Sequence, residues 1–249
     1  MDLRETQEHP SGSRHPWETA RFWFFHRLLD ATGRGDSQTV LLDVGAGDAW
    51  FSRTLTTREP GRWQVHCVDP HYSDAFLEAT VHQHTWPRFS RTTPPGLEAA
   101  GLLLLDVLEH VEDDLDLLVQ SLSAVRPGGC VLISVPAWPG LYSGHDRFLK
   151  HFRRYTFRSL RQLVADSGLI PVRSGGLFFS LLPLRALQVW IEKRTSAGQA
   201  CDPSPWAGGP VITRLLHGLL TLDAWICDLL SRIALPIPGL SWWYQCRKP

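Results

Sequence analysis

Apolar positions fall into two alternating regimes along this chain. TVLLDV is continuously apolar or β-branched up to Asp43 and is followed by the turn GAGD, the profile of a strand buried on both faces of a parallel sheet. The same profile returns in WQVHCVDP, closing on Asp69, in LLLLD, closing on Asp106, and in CVLISVP after the Pro-Gly-Gly turn at 127–129. Helical spacing fills the gaps. A helix is expected over 49–57, and a second one behind a cap at Asp113 or Asp114, with Leu117, Leu118, Leu122 and Val125 on its apolar face. A third is capped by Thr156 and runs to about Asp166, with Gly168 just past its end. Ahead of the first strand, Ala20, Phe24 and Leu28 recur at helical spacing, Trp17 lies on the same segment, and Gly33 supplies a stop. Strands alternating with helices predict a right-handed, doubly wound parallel sheet. The stretch 71–101 must hold a helix, a strand and a helix, and its strand is expected over 80–86.

Beyond Leu169 the pattern changes. IPVRSGG is a sixth strand candidate and SWWYQCRKP a seventh, separated by roughly 60 residues that need structure of their own. Two helical segments fit there, LLPLRALQVWIEKR and VITRLLHGLLTLDAWICDLLSRI. In the second, Ile212, Leu215, Leu216, Leu219, Leu222, Ile226, Leu229 and Leu230 form the expected apolar face. Arg214, His217, Asp223 and Asp228 interrupt any long apolar run, which argues against a membrane span. The spacer between the helices is rich in Gly, Pro and Ser and is expected to be a loop. The predicted layout is a loose tail over 1–14, an α/β core over 15–175, a helical insert or cap over 176–238, and a final core strand over 239–249.

Composition narrows the functions. At 249 residues with 43% hydrophobic and 20% charged positions, the chain can bury a full core. Lys plus Arg is 25 and Asp plus Glu is 25, so the electrostatic footprint of a nucleic-acid binder is missing and no nucleic-acid partner is expected. The five cysteines show no CxxC spacing; Cys67 and Cys130 lie in apolar runs and are expected to be buried. The opening residues lack the apolar segment of a signal peptide, so the expected compartment is cytoplasmic. His82 and His84 form an isolated pair, and no metal site is expected.

In an open parallel sheet, ligands sit at the carboxyl ends of the strands. Four features meet there. Gly45 and Gly47 allow a tight turn and close backbone approach around Ala46. Asp69 can accept both hydroxyl protons of a ribose. Asp106 ends another strand. The loop PAWPGLYSGHDRFLKHFRRYT carries His145, His151, aromatic rings and arginines. A glycine turn followed by an acid also serves nicotinamide enzymes, but a dinucleotide fingerprint wants Gly or Ala at position 50. This chain has Trp50, which fits a cofactor without a pyrophosphate.

The segments LLDVGAGDAWFSRTL, VHCVDP, LLLLDVLEHVEDD, VRPGGCVLISVPAW and HDRFLKHFRRYT together resemble the class I S-adenosylmethionine-dependent methyltransferases. The likeness is greatest to the type 11/12 group that includes the ubiquinone-biosynthesis O-methyltransferases. HPWETARFWFFHRLL and LPIPGLSWWYQCRKP resemble the first helix and last strand of one subgroup. The resemblance implies a Rossmann-like, seven-stranded methyltransferase sheet in three α/β/α layers, with the helical insert between the last two strands. It implies S-adenosyl-L-methionine as cofactor, with Asp43, Gly45, Ala46 and Gly47 at its methionine end and Asp43 favouring the ammonium group. Asp69 would hold the ribose with Pro70 beside it. Asp106, Val107 and Leu108 would flank the cofactor, and Trp17 and Arg21 would close over it, Arg21 facing its carboxylate. PRFSRTTPP departs from the family pattern after the third strand, so adenine contacts stay unassigned.

For proton removal, His145 and His151 are the candidate acceptors, since imidazole titrates near neutral pH; alternatively, the loop's polar residues tie it to the sheet, with Arg153 and Arg154 pairing to acids such as Asp146. His110 would lie near the methyl-transfer centre in the resembling group. Glu109 and residues 113–116 are expected to be a solvated helix start. The acceptor is expected to be small and largely apolar or lipid-linked, methylated on oxygen. Peripheral membrane contact or a homodimer interface is the alternative use of the apolar helices. The rival activities are a nicotinamide-dependent oxidoreductase and a non-catalytic cofactor-binding or interaction protein.

Overall fold

The computed structural model of the protein describes residues 14–30, 38–81, 85–195 and 208–249. Its opening helix, α1 (Pro16–Asp30), buries the positions that the spacing selects, Ala20, Phe24 and Leu28, together with Phe25 and Leu29. The stop assigned to Gly33 lies outside the described residues. Then follow β1 (Thr39–Val44), α2 (Trp50–Arg58), β2 (Trp63–Val68), α3 (Asp74–Val81), β3 (Arg88–Ser90) and β4 (Ala99–Leu105). A 3₁₀ turn, Leu108–His110, leads to α4 (Asp114–Leu122), whose cap Asp113 accepts from the Asp116 amide. Next come β5 (Val125–Pro136), α5 (Gly144–Phe148), α6 (Phe157–Asp166) behind a Thr156–Ser159 capping box, and β6 (Ile170–Leu177). Helices α7 (Leu182–Thr195) and α8 (Pro210–Ser231) precede β7 (Ser241–Arg247).

The seven strands lie in the order β3-β2-β1-β4-β5-β7-β6. The sheet is Rossmann-like, but it is mixed rather than wholly parallel, because β7 inserts between β5 and β6 and runs antiparallel to both. Trp243 anchors that insertion; it is fully buried, its indole N–H donates to the Gly176 carbonyl at 3.2 Å, and its ring meets Phe24 edge-on at 5.0 Å. One apolar layer lies under α4 and α6, through Leu118, Leu122, Leu160 and Val164. The other lies under α1, α2 and α8, through Phe25, Leu55, Leu220 and Cys227. Cys67 and Cys130 are buried as expected, and Cys227 and Cys246 are buried with them.

Three expectations fail. The strand placed over 80–86 does not form: Thr80 belongs to α3, and the strand is the three-residue Arg88–Ser90 at the sheet edge, paired only with β2. One apolar residue, Phe89, serves that edge, packing on Tyr72 and Phe76, so it leaves almost no strand signal. His82 and His84 are outside the described residues. Val125 opens β5 instead of closing the helix before it. The third failure concerns α8. Of its expected apolar face, Ile212, Leu215, Leu219, Leu222 and Leu229 are exposed, while Leu220, Asp223, Ala224, Cys227, Asp228 and Ser231 are buried. Polar anchoring accounts for the rotation: Asp223 accepts from the Phe179 and Ser180 amides at 3.3 and 2.8 Å, and Asp228 pairs with Arg173 at 2.6 Å and Arg27 at 3.0 Å.

Candidate active site

The site forms where β1, β2 and β4 end side by side. Gly45 leaves β1 with φ +65, and a Cβ built on it would meet the Val107 side chain at 2.7 Å, so this close crossing of two strand ends requires glycine. Gly47, at φ +57, turns the chain back so that its amide donates to Asp69 Oδ2 at 3.0 Å. Asp69 also accepts from the His71 amide at 2.9 Å, which fixes its carboxylate at the end of β2. Asp43 is buried, and Ser52 Oγ donates to its Oδ2 at 2.5 Å. Desolvation nonetheless pushes its carboxyl up to about 6.

A cleft opens between these turns and α1. Of the predicted cofactor residues, Trp17, Arg21, Asp43, Gly45 and Ala46 line it, joined by Glu18, Phe22, Asp48, Trp50, Phe51 and Leu105, which were not predicted. Asp106, at φ +60, accepts from Ser134 Oγ at 2.8 Å and pairs through Oδ2 with Arg21 at 2.8 Å. Arg21 has two further nitrogens, Nε and Nη2, buried without a hydrogen-bond partner. A buried guanidinium in that state fits a carboxylate ligand, and the desolvated Asp43 carboxyl fits an ammonium group. The carboxylate end of an amino-acid moiety therefore matches Arg21 nitrogens that the chain leaves unpaired, and its ammonium end matches a buried carboxylate held by Ser52. Val107 packs on Gly45. Leu108 is fully buried in the apolar layer under α4 and α6, so its side chain does not line the cleft. Pro70 is exposed just beyond β2.

Of the three histidines, His110 and His151 come together, with ring centroids 4.5 Å apart and planes nearly perpendicular. Asp146 is fully buried and orients His151, accepting from or sharing with its Nδ1 at 2.9 Å, and it also binds Arg154 Nε at 2.7 Å and the Ser143 amide at 2.9 Å. These partners hold its carboxyl below the usual range despite the burial. Arg154 thus pairs with Asp146, and Arg153 pairs with Asp114. His145 stands apart on α5, where burial and then Arg185 push its imidazole down to about 4, leaving it neutral. α7 clamps this loop: Glu192 accepts from the Gly144 amide, Arg185 donates to Ser143 Oγ and Lys193 to the Gly140 carbonyl, all at 2.7 Å.

Glu109 corrects the sequence reading. It is fully buried, not part of a solvated helix start, and burial followed by Asp106 pushes its carboxyl well above the ordinary range. The available signal was its place between Leu108 and Val111, whereas the truly exposed acids begin at Glu112.

Comparison with known proteins agrees with this geometry. The methyltransferase-domain family matches residues 17–174. A protein of Mycolicibacterium vanbaalenii described as an uncharacterized methyltransferase is 29% identical over 133 residues, and the matched part spans 49% of each chain. Among solved structures, an S-adenosylmethionine-dependent methyltransferase of Archaeoglobus fulgidus superposes with TM-score 0.53 at 13% identity, covering 93% of this chain and 94% of that one. Phosphoethanolamine N-methyltransferase 2 of Haemonchus contortus, in complex with S-adenosyl-L-methionine, superposes with TM-score 0.52 at 17% identity, covering 93% and 56%. Such low identities establish the shared fold, while the family match extends over more than half the chain and sets aside the nicotinamide reading. The chain spans about half the length of the curated relatives it matches, carries the methyltransferase fold, and belongs to the methyltransferase-domain family.

Proposed function

We propose that the protein methylates an oxygen of a small apolar or lipid-like acceptor, which enters between the cofactor cleft and the α5–α7 side of the site. The cofactor supplies an electrophilic sulfonium methyl. Arg21 and Asp43 align its amino-acid end, Asp69 holds the ribose, and Asp106 fixes Arg21. The acceptor oxygen takes the methyl in line, the C–O bond forming as the C–S bond breaks and sulfur keeps the electron pair. Alignment of this kind supplies much of the rate when the methyl is already activated. His110 and His151 are the groups that engage the acceptor hydroxyl and loosen its proton; His145, neutral and next to Arg185, supports the loop. The exposed apolar rows of α7 and α8 support the lipophilic character of the acceptor, since a soluble fold gains nothing from leaving them bare. The same rows support residence at a lipid surface. No helix among the described residues is long and apolar enough to cross a membrane.

Calorimetric titration with S-adenosylhomocysteine, on wild type and Asp69→Ala, tests the cofactor assignment; micromolar binding weakened at least tenfold by the substitution, about 1.4 kcal/mol, is expected. Methyl transfer to a long-chain phenol should then exceed transfer to the matching amine. Preference for the amine would remove the oxygen assignment.

A further inference from the structure

The 3₁₀ turn after β4 and the loop before α6 place Glu109, His110 and His151 so that one ligand atom from each lies within 4.8 Å of the other two. Glu109 is fully buried, and neither carboxylate oxygen has a hydrogen-bond partner. A buried carboxylate in that state is costly and points to a missing partner. His151 has its Nδ1 committed to Asp146, so Nε2 is the nitrogen left for a ligand. Carboxylate–histidine pairs of this form orient the imidazoles that bind metal ions. His110, half-buried, keeps the cluster open on one side. A second triad, His26, Asp30 and Glu59, has similar spacing but already holds a cation, because Arg62 pairs with Asp30 at 2.6 Å and with Glu59 at 2.8 Å. Glu109 has no such counterpart bonded to it.

We infer that Glu109, His110 and His151 bind a divalent transition-metal cation beside the methyl-transfer centre, with Asp146 holding His151 in position. Two imidazoles and one carboxylate with an open position suit such an ion better than magnesium or calcium, which favour all-oxygen shells. Bonds of about 2.0–2.2 Å would draw the ligand atoms to roughly 3.4 Å apart, a closure of at most about 1.4 Å. The site stands on these side chains alone; its use rests on the proposed O-methylation. There, an acceptor hydroxyl in the open position loses its proton to solvent water because the cation lowers its pKa, and the oxygen then takes the methyl. In that arrangement His110 and His151 loosen the hydroxyl proton through the cation they hold, and the proton itself goes to water.

The 249-residue chain, stripped with chelator, is titrated with Co²⁺ while visible absorption is followed, and with Zn²⁺ by calorimetry. Saturable d–d bands at one equivalent, and Zn²⁺ binding in the micromolar range or tighter, are expected. Glu109→Gln and His151→Gln should each weaken Zn²⁺ binding at least tenfold while still unfolding cooperatively on heating, whereas His26→Gln should leave it unchanged. Absence of bands and heat in wild type that binds S-adenosylhomocysteine overturns the metal site and spares the methyltransferase. Binding that both Glu109→Gln and His151→Gln leave intact also overturns it. Co²⁺ binding without S-adenosylhomocysteine binding would support the metal site and count against its use in methyl transfer.

Discussion

With the proposed placement of the cofactor's ammonium group beside it, Asp43 would tie cofactor affinity to pH. Its carboxyl is raised to about 6 by desolvation in the free protein, and an adjacent ammonium group favours the charged form, lowering that value in the complex. Binding therefore releases a proton below about pH 6: affinity is full above that value and falls by about tenfold per pH unit beneath it. Asp43→Asn should bind more weakly and lose this dependence, which calorimetry between pH 5 and 8 would reveal. Gly45 makes a second prediction. An alanine there takes a positive φ that L-residues avoid and drives its methyl into Val107 at 2.7 Å, so Gly45→Ala should cost about 1 kcal/mol or more by denaturant unfolding and abolish S-adenosylhomocysteine binding. These residues were legible in the sequence because strand ends and glycine turns announce themselves locally. Glu109 was harder to read: beyond its place between Leu108 and Val111, its burial depends on the loop that docks Phe152 N–H on the Glu109 carbonyl at 2.7 Å, a contact that spans 43 positions.

At the scale of elements, existence was easier to read than orientation. Helices α7 and α8 were both foreseen, yet α8 presents Asp223, Asp228 and Ser231 inward, and the partners that make this favourable, Arg173 and the amides after β6, come from about 40 to 55 positions earlier. A hydrophobic stripe shows which face would be buried if apolar area alone decided. Here two backbone amides on Asp223 and three arginines on Asp228 (Arg27, Arg173 and Arg232) decide with it. The antiparallel β7 was hidden for a related reason, since a strand's direction depends on the crossover before it and not on its own alternation. Stability should follow the observed face. Asp223→Ala orphans two backbone donors and should cost about 2–3 kcal/mol in urea unfolding, against less than about 0.5 kcal/mol for Leu215→Ser, which touches an exposed position. Equal costs would mean that α8 packs on its apolar stripe.

The whole molecule combines a neutral total charge with an uneven distribution of it. Trp190, Ile191, Ile212, Leu215, Leu219 and Trp225 are all exposed on the two helices that flank the Phe179–Leu181 turn. The exposed charges on those helices, Lys193, Arg194 and Arg214, are cationic, as is Arg232 just beyond α8. Their acids are withdrawn: Asp223 and Asp228 are buried, and Glu192 is bound to the Gly144 amide. Apolar side chains among outward cations, with aromatic rings at hand, suit an anionic lipid surface, where each basic residue contributes about 1 kcal/mol and salt weakens the attraction. The protein should therefore sediment with phosphatidylglycerol vesicles and not with phosphatidylcholine alone, and it should be released by high salt. Arg194→Glu combined with Arg214→Glu should weaken the association by about tenfold or more, and Leu215→Ser should weaken it without altering its salt dependence. Co-sedimentation indifferent to lipid charge would remove the electrostatic part of this reading. A dimer in light scattering that Leu215→Ser dissociates, with no vesicle binding, would assign the same face to a second copy of the chain.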